Sequence, residues 1–195
     1  MSSKYTSPSL ETLASRYDFL LMDTCALLCA FRRGEKEIFH MGEKGINVIR
    51  NYIERGVKCF VTEGIIGECV DDSYWSQLYS RSLGRERRYN LSDLMKVFEE
   101  KELVLNLQPK DLPFYEEVSS CLHNFVDYEN LGPIDVDLFL SALFLSKEEG
   151  KSALLISNDF KIAKLWREFM GEGKLDPRRF GFAFRIGLDV FDELC

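Results

Sequence analysis

Two apolar stretches of this chain each lead to an aspartate. Asp23 directly follows the uninterrupted run Phe19–Met22, and Asp159 follows the all-apolar run Ala153–Ile156 after two intervening residues. Short runs of this kind are typical of strands that are buried on both faces of a parallel sheet. Ligands of such sheets bind beyond the carboxyl ends of the strands, so acids placed there can face a cation or a substrate. The ordinary alternative for Asp23 is that it caps the next helix.

Three further acids lie near the same predicted edge. Glu68 belongs to the helix predicted after the second strand, and Asp135 lies in the first turn of a helix that Gly132 and Pro133 begin. Asp137 lies about 200° further round that helix, so we expect Asp135 to face the strand ends. The opposite register is nearly as apolar and stays open. Taken singly, Glu68 fits a solvated helix residue, and Asp135 fits an acid favoured by the helix dipole.

Together these acids form a set that a divalent cation would stabilise. If the first and fourth strands are neighbours, four or five carboxylates share one crevice, and no Lys or Arg in these segments neutralises them. Packed carboxylates repel one another, and an unpaired buried charge is costly. Their hard oxygen atoms suit Mg²⁺ or Mn²⁺, which can hold a phosphodiester and lower the pKa of a bound water.

The alternation of strand-like and helix-like segments predicts an α/β fold, in which helices cover both faces of a parallel sheet. We expect one domain over residues 17–195, a tail or peripheral helix over 1–16, and a basic loop near 80–90. The predicted strands are 19–22, 57–61, 103–107, 153–156 and 182–186. The predicted helices are one after the first strand that ends at Arg32 and Arg33, then 43–55, 63–71, 93–101 with Ser92 as its cap, 109–125, 133–149, 160–170 and 189–194.

Composition excludes several classes of protein. Hydrophobic residues make up 46% of the chain, yet no apolar run approaches the roughly 20 residues that span a bilayer. The polar, Ser-rich first thirteen residues lack an apolar signal core, and six cysteines form no Cys-x-x-Cys pair, so we expect a cytoplasmic protein. Two isolated histidines argue against His-based triads and zinc hydrolases. The net charge of −7 argues against broad binding of nucleic acid but permits a local basic patch.

Four segments, in this order, resemble the PIN-domain family of metal-dependent ribonucleases, and they are residues 21–24, 61–68, 131–142 and 155–159. The resemblance implies a three-layer α/β/α fold with a five-stranded parallel sheet in the order 3-2-1-4-5. It also implies that the metal-binding acids are Asp23, Glu68, Asp135 and Asp159, with Thr24 and Ser157 assisting. We add Asp137 as a further candidate metal ligand and Asn158 as a further assisting residue. The family often has Ser or Asn where this chain has Cys25, and that departure leaves the hydrogen bonding around the first acid open.

These observations predict an endoribonuclease that depends on Mg²⁺ or Mn²⁺. Its RNA-binding residues would be Arg81, Arg85, Arg87 and Arg88, with Arg32, Arg33, Arg178 and Arg179 as further candidates. The alternative is a PIN-like module that binds RNA or protein and has little or no nuclease activity. Beyond RNA, the partners that we consider are an inhibitory or scaffold protein and a second copy of the chain, and we expect no membrane.

Overall fold

The structure of the chain is a computed structural model, which describes residues 15–27, 31–33, 37–39, 43–70, 85–107, 115–116, 118, 122–123, 131–147 and 150–183. Its strands are β1 Phe19–Met22, β2 Phe31–Arg33, β3 Glu37–Phe39, β4 Cys59–Thr62, β5 Val104–Leu105, β6 Ala153–Ile156 and β7 Phe180–Ala183. Its helices are α1 Thr24–Leu27, α2 Glu43–Glu54, α3 Glu63–Val70, α4 Arg85–Glu100, α5 Pro133–Lys147 and α6 Phe160–Gly171.

Five of these strands form one sheet, in the order β5-β4-β1-β6-β7, and every neighbouring pair is parallel. When only the five strands of this sheet are numbered along the chain, their order is 3-2-1-4-5, as predicted. The central strand is β1, where Leu20 lies opposite Cys59 of β4 and opposite Leu154 of β6. All four residues of β1 and all four of β6 are buried, which explains why both strands are continuously apolar.

Helices flank the sheet in a three-layer α/β/α arrangement, and the core fills the space between the layers. Among its largest fully buried side chains are Phe98 of α4, Phe139 of α5 and Phe169 of α6. The ring of Phe139 contacts that of Phe169 edge to face, with the centroids 5.0 Å apart. Helix α5 buries a continuous stretch, residues 138–143, because it is apolar on nearly every side and packs against the middle of the sheet. No helix in the described ranges is both long and apolar enough to cross a membrane.

The segment after β1 differs from its prediction. The helix predicted to run on to Arg32 and Arg33 ends at Leu27, and Phe31–Arg33 instead pairs in antiparallel fashion with Glu37–Phe39. Phe31 lies opposite Phe39, and Arg32 lies opposite Ile38. Aromatic and β-branched residues favour such cross-strand pairs, which accounts for a strand rather than a helix at Phe31–Arg33.

The segment after residue 84 also differs from its prediction. Helix α4 begins at Arg85, so residues 85–90 are helical where a basic loop was expected, and Ser92 lies inside the helix rather than at its cap. Arg and Glu are good helix formers, which accounts for the earlier start. The bounds of the other three strands of the sheet also differ from their predictions, since β4, β5 and β7 cover 59–62, 104–105 and 180–183. Most of the predicted helix 109–125, all of 189–194, and residues 1–14 lie outside the described residues.

Helices α3 and α5 approach each other closely at Gly64. A Cβ atom added there would lie 3.0 Å from Cγ1 of Ile134, whereas one added at Gly67 of the same helix would meet nothing within 4 Å. Gly67→Ala should therefore raise the free energy of unfolding by up to about 1 kcal/mol through helix propensity. Gly64→Ala makes the same gain but overpacks against Ile134, which costs about 1–3 kcal/mol.

Urea denaturation of both variants measures this difference. The free energy of unfolding of Gly64→Ala should be at least about 1 kcal/mol below that of Gly67→Ala. Equal values for the two variants would show that α3 can move away from α5 without cost, and that the close approach does not fix their spacing.

Candidate acidic site at the carboxyl edge of the sheet

Asp23 lies directly after the central strand, and its backbone is fixed on both sides. Its N–H donates to the carbonyl of Ile156 at 3.0 Å, which extends the pairing of β1 with β6. Its own carbonyl accepts the N–H groups of Ala26 and Leu27 at 3.0 and 2.9 Å, so α1 begins at this residue. The side chain is only 5% exposed. A single carboxylate is therefore held, almost buried, at the middle of the sheet edge.

Two side chains donate hydrogen bonds to the same oxygen of Asp23. Ser157 Oγ donates to Oδ2 at 2.6 Å, and Cys25 Sγ donates to it at 2.7 Å. The thiol sulfur in turn accepts the backbone N–H of Asn158 at 3.1 Å. Cys25 therefore bridges the end of β1 and the segment after β6, a role that the sequence left open. The signal for it was its position, two residues after the first acid.

Burial raises the pKa of Asp23 above its usual range, the donors Cys25 and Ser157 lower it, and the charge of Asp159 raises it again. The pKa of the Cys25 thiol is well above its ordinary value, because the thiol is buried and because the Asp23 carboxylate is adjacent. The thiol therefore keeps its proton and can donate it in the bond to Asp23.

Asp159 caps helix α6 and is tied to the same serine. Its Oδ1 accepts the N–H of Lys161 at 2.6 Å, which is the usual bond of an aspartate at an N-cap. Its own N–H donates to Ser157 Oγ at 2.9 Å. The Ser157 hydroxyl thus accepts from one acidic residue and donates to another. It therefore lies between Asp23 and Asp159.

Glu68 enters from helix α3, which follows β4. Thr24 Oγ1 donates to its Oε2 at 2.6 Å, so the residue next to Asp23 orients the acid of the neighbouring element. Burial raises the pKa of Glu68, the bond from Thr24 lowers it, and the charge of Asp23 raises it. The start of α3 is fixed by Thr62, whose Oγ1 accepts the N–H of Ile65 at 3.4 Å.

Asp135 lies in the first turn of α5, and its Oδ2 accepts the N–H of Gly132 at 3.2 Å. Its pKa is raised to about 7, first by burial and then by the charges of Asp23, Asp159 and, less strongly, Glu68. The bond from Gly132 lowers it. Asp135 is therefore close enough to all three other acids to feel their charges.

Asp137 has different surroundings. Burial raises its pKa, a hydrogen bond from the Thr62 side chain lowers it, and the acid whose charge raises it is Glu63. Of the two aspartates of α5, it is Asp135 that faces the other three acids, in agreement with the register that we favoured. The structure thus brings together Asp23, Glu68, Asp135 and Asp159, which we call the acidic site.

The acidic site suits a hard divalent cation for two reasons. Its four acids repel one another, and the metal-ligand atoms that they can offer are all carboxylate oxygens. The hydrogen bonds described above each use one oxygen of a carboxylate, namely Asp23 Oδ2, Glu68 Oε2, Asp135 Oδ2 and Asp159 Oδ1. However, the described residues contain no group of three His, Cys, Asp or Glu side chains that is arranged to hold a metal ion. Binding a cation would require these side chains to move together.

The predicted RNA-binding arginines are not all near the acidic site. Arg85, Arg87 and Arg88 lie in the first turn of α4, and Arg81 lies outside the described residues. Arg178 and Arg179 immediately precede β7, which runs parallel to β6, so they lie at the amino edge of the sheet, opposite the acids. Their contact with RNA stays a prediction, and any such contact would lie away from the acidic site. Arg32 and Arg33 belong to β2.

Fold and site together define a three-layer α/β/α protein with a parallel sheet that gathers four acids at its carboxyl edge. No protein-family model, no curated protein and no solved structure matches the chain. The function must therefore be inferred from the geometry of the acidic site.

The bond from Cys25 to Asp23 can be tested by comparing Cys25→Ala with Cys25→Ser. Alanine removes one donor to the buried Asp23 carboxylate and the acceptor of the Asn158 N–H, whereas serine keeps both functions. We expect Cys25→Ala to lower the free energy of unfolding by about 1–3 kcal/mol and Cys25→Ser by clearly less. Denaturant unfolding without divalent ions measures both. Equal losses would mean that the thiol only fills space.

The raised pKa of Asp135 predicts how stability depends on pH in the absence of metal. Its folded-state pKa of about 7 lies above the unfolded value, so its proton stabilises the fold at low pH, and that contribution is lost as the pH rises through about 7. Asp135→Asn cannot ionise and still offers an oxygen to Gly132. In EDTA, the variant should therefore gain stability relative to the wild type between about pH 4 and pH 8.

Thermal unfolding at several pH values measures this gain. Glu99→Gln on α4 is the control, because it also removes one negative charge but does so at an exposed position. A pH dependence that is the same for both variants would contradict the repulsion among the acids.

Proposed function

We propose that this chain is an endoribonuclease that depends on Mg²⁺ or Mn²⁺ and hydrolyses phosphodiester bonds of RNA. The observation that carries the proposal is the convergence of Asp23, Glu68, Asp135 and Asp159 at the carboxyl edge of the sheet. Burial and the charges of the other three acids raise the pKa of Asp135 to about 7. Acids that repel one another at the carboxyl edge of a parallel sheet are stabilised by a divalent cation. Groups whose pKa values are perturbed in this way cluster at functional sites.

The four acids would hold the metal through the oxygens that the described hydrogen bonds do not use. Ser157 and Cys25 fix the orientation of Asp23, and Thr24 fixes that of Glu68. Asp137, which faces Thr62 and Glu63, is in our proposal a peripheral group rather than a ligand. A bound Mg²⁺ or Mn²⁺ would lower the pKa of a water molecule and offset the charge of the phosphate. The resemblance of the sequence to the PIN-domain family supports the same chemistry.

RNA would be held near the site by basic residues. Arg85, Arg87 and Arg88 lie close together in the first turn of α4, the helix that packs against α3, and α3 carries Glu68. Arginines at such positions bind phosphates without regard to sequence. We also propose that the protein acts in the cytoplasm, because Cys25 and Cys59 are thiols rather than disulfide partners.

One observation favours a second function, that of a binding module without nuclease activity. The described acids do not yet form a group that could hold a metal ion, and Asp23 Oδ2 already accepts two hydrogen bonds. A protein that has these acids but does not coordinate a cation with them could still act by binding. Its partner could be RNA, an inhibitor or scaffold protein, or a second copy of the chain.

Mn²⁺ titration combined with an RNA cleavage assay distinguishes the two functions. At 100 times its dissociation constant, a ligand adds about 2.7 kcal/mol of stability, which for a domain of this size is a rise of roughly 5–10 °C in melting temperature. We expect this rise in the wild type and in Glu99→Gln, and little of it in Asp23→Asn or Asp159→Asn. Cleavage of a labelled single-stranded RNA should require Mn²⁺ and fall at least about 100-fold in Asp23→Asn.

Each outcome decides between the functions. An equal rise in the wild type and in both aspartate variants would show that Mn²⁺ binds elsewhere and would reject the acidic site. RNA binding without a Mn²⁺-dependent rise and without cleavage would establish the binding module instead.

A further inference from the structure

A pocket lies at the edge of the sheet opposite the acidic site, where the strands begin. It has a volume of about 370 Å³ and is lined by residues that precede or open the central strands, together with Arg55 and Gly56, which follow α2. The charged side chains among them are Arg55, Lys58, Lys151 and Asp18. We call this the amino-edge pocket. Since β1 has four residues, the pocket lies about 13 Å from the acidic site.

The frame of the amino-edge pocket is rigid, because its backbone belongs to the paired strands. The N–H groups of Asp18 and Phe19 donate to the carbonyl of Ser152 at 3.1 and 3.0 Å, and the N–H of Leu20 donates to the carbonyl of Lys58 at 2.9 Å. Gly56, with a φ of 86°, makes the turn that carries the chain from α2 to β4 past the pocket. The backbone positions from which the cationic side chains extend are therefore fixed.

Positive charge converges on one aromatic ring in this pocket. The Lys58 ammonium lies 5.5 Å from the centroid of the Phe19 ring, and the Lys151 ammonium lies 6.0 Å from the same centroid. Each is within reach of a cation–π interaction, but the two ammonium groups also repel each other. Arg55 lines the same pocket and adds a third positive charge.

One carboxylate of the lining offsets part of this charge. Asp18 Oδ1 accepts from Lys151 Nζ at 3.4 Å, while Oδ2 accepts the N–H and the hydroxyl of Ser152 at 2.9 and 3.0 Å. Three cations against one carboxylate leave the lining positive, although the chain as a whole has a net charge of −7. The carboxylate is oriented by Ser152, so it remains on one side of the pocket.

We propose that the amino-edge pocket binds a phosphate monoester. Its volume lies within the range of small-molecule sites, about 300–1,000 Å³. A phosphate dianion between Lys58, Lys151 and Arg55 would relieve the repulsion among them, and both lysine and arginine bind phosphate through charge-assisted hydrogen bonds. The ligand class is a nucleoside monophosphate or the 5′-terminal phosphate of an RNA chain, which carry the same group. This proposal is independent of nuclease activity, since it uses none of the acids.

Titration of the ¹⁵N-labelled protein with adenosine monophosphate, followed by amide chemical shifts, tests the pocket. We expect shifts at Gly56, Lys58 and Ser152, none of comparable size with uncharged adenosine, and at least tenfold weaker binding by the double variant Lys58→Gln/Lys151→Gln. Lys96→Gln, which removes an exposed charge from α4, is the matched control and should bind as the wild type does. Unchanged amide shifts in the rest of each variant show that it is folded.

Three results would overturn the proposal. Adenosine could shift the same amides as the monophosphate, the double variant could bind as tightly as Lys96→Gln, or the shifts could gather at the acidic site instead. A second arm compares a 5′-phosphorylated tetraribonucleotide with its 5′-hydroxyl form. Tighter binding of the phosphorylated chain than of the mononucleotide identifies an RNA end as the ligand, and the reverse order identifies a free nucleotide.

Discussion

The hydrogen bond from Ser157 to Asp23 joins the two central strands at the point where both end. It connects the segment after β6 to the acid after β1, and the same hydroxyl accepts the N–H of Asp159. Asp23 is almost completely buried, so its carboxylate needs donors that do not come from water. Ser157 and Cys25 supply them. The position of every other acid of the site is defined relative to this pair, because Thr24 orients Glu68 and α5 presents Asp135 to them.

The fold reduces the cost of this concentration of negative charge in one respect. Asp159 is the N-cap of α6 and Asp135 lies in the first turn of α5, so both stand at the positive end of a helix dipole. Their bonds to Lys161 and Gly132 also satisfy backbone N–H groups that a helix start leaves without partners. The two ordinary roles that the sequence allows for these acids, as helix caps and as members of a charged cluster, are therefore compatible.

Much of the fold could be predicted because local pattern and burial agree. The bounds of β1 and β6 were predicted correctly, since an uninterrupted apolar run buried on both faces leaves little choice. Helix geometry favoured the orientation of Asp135 but did not settle it, because the face of α5 that carries Asp137 is nearly as apolar. The antiparallel pair β2–β3 was missed because Phe31 and Phe39 are separated by charged residues whose pattern fits a helix as well. The position of Cys25, two residues after Asp23, was a signal for its bond to that acid. Its contact with Asn158 could not be predicted, because the two residues are more than a hundred positions apart in the sequence.

The described residues place opposite charges at the two edges of the sheet, and these charges form an electric dipole along the strands. The edges are about 13 Å apart, which is longer than the screening length of about 8 Å at physiological ionic strength. At that ionic strength, salt screens the solvent-exposed charges of one edge from those of the other, whereas buried charges such as that of Asp23 are screened much less. At an ionic strength of about 0.01 M the screening length is about 30 Å, so the charges at each edge affect the electrostatic potential at the other.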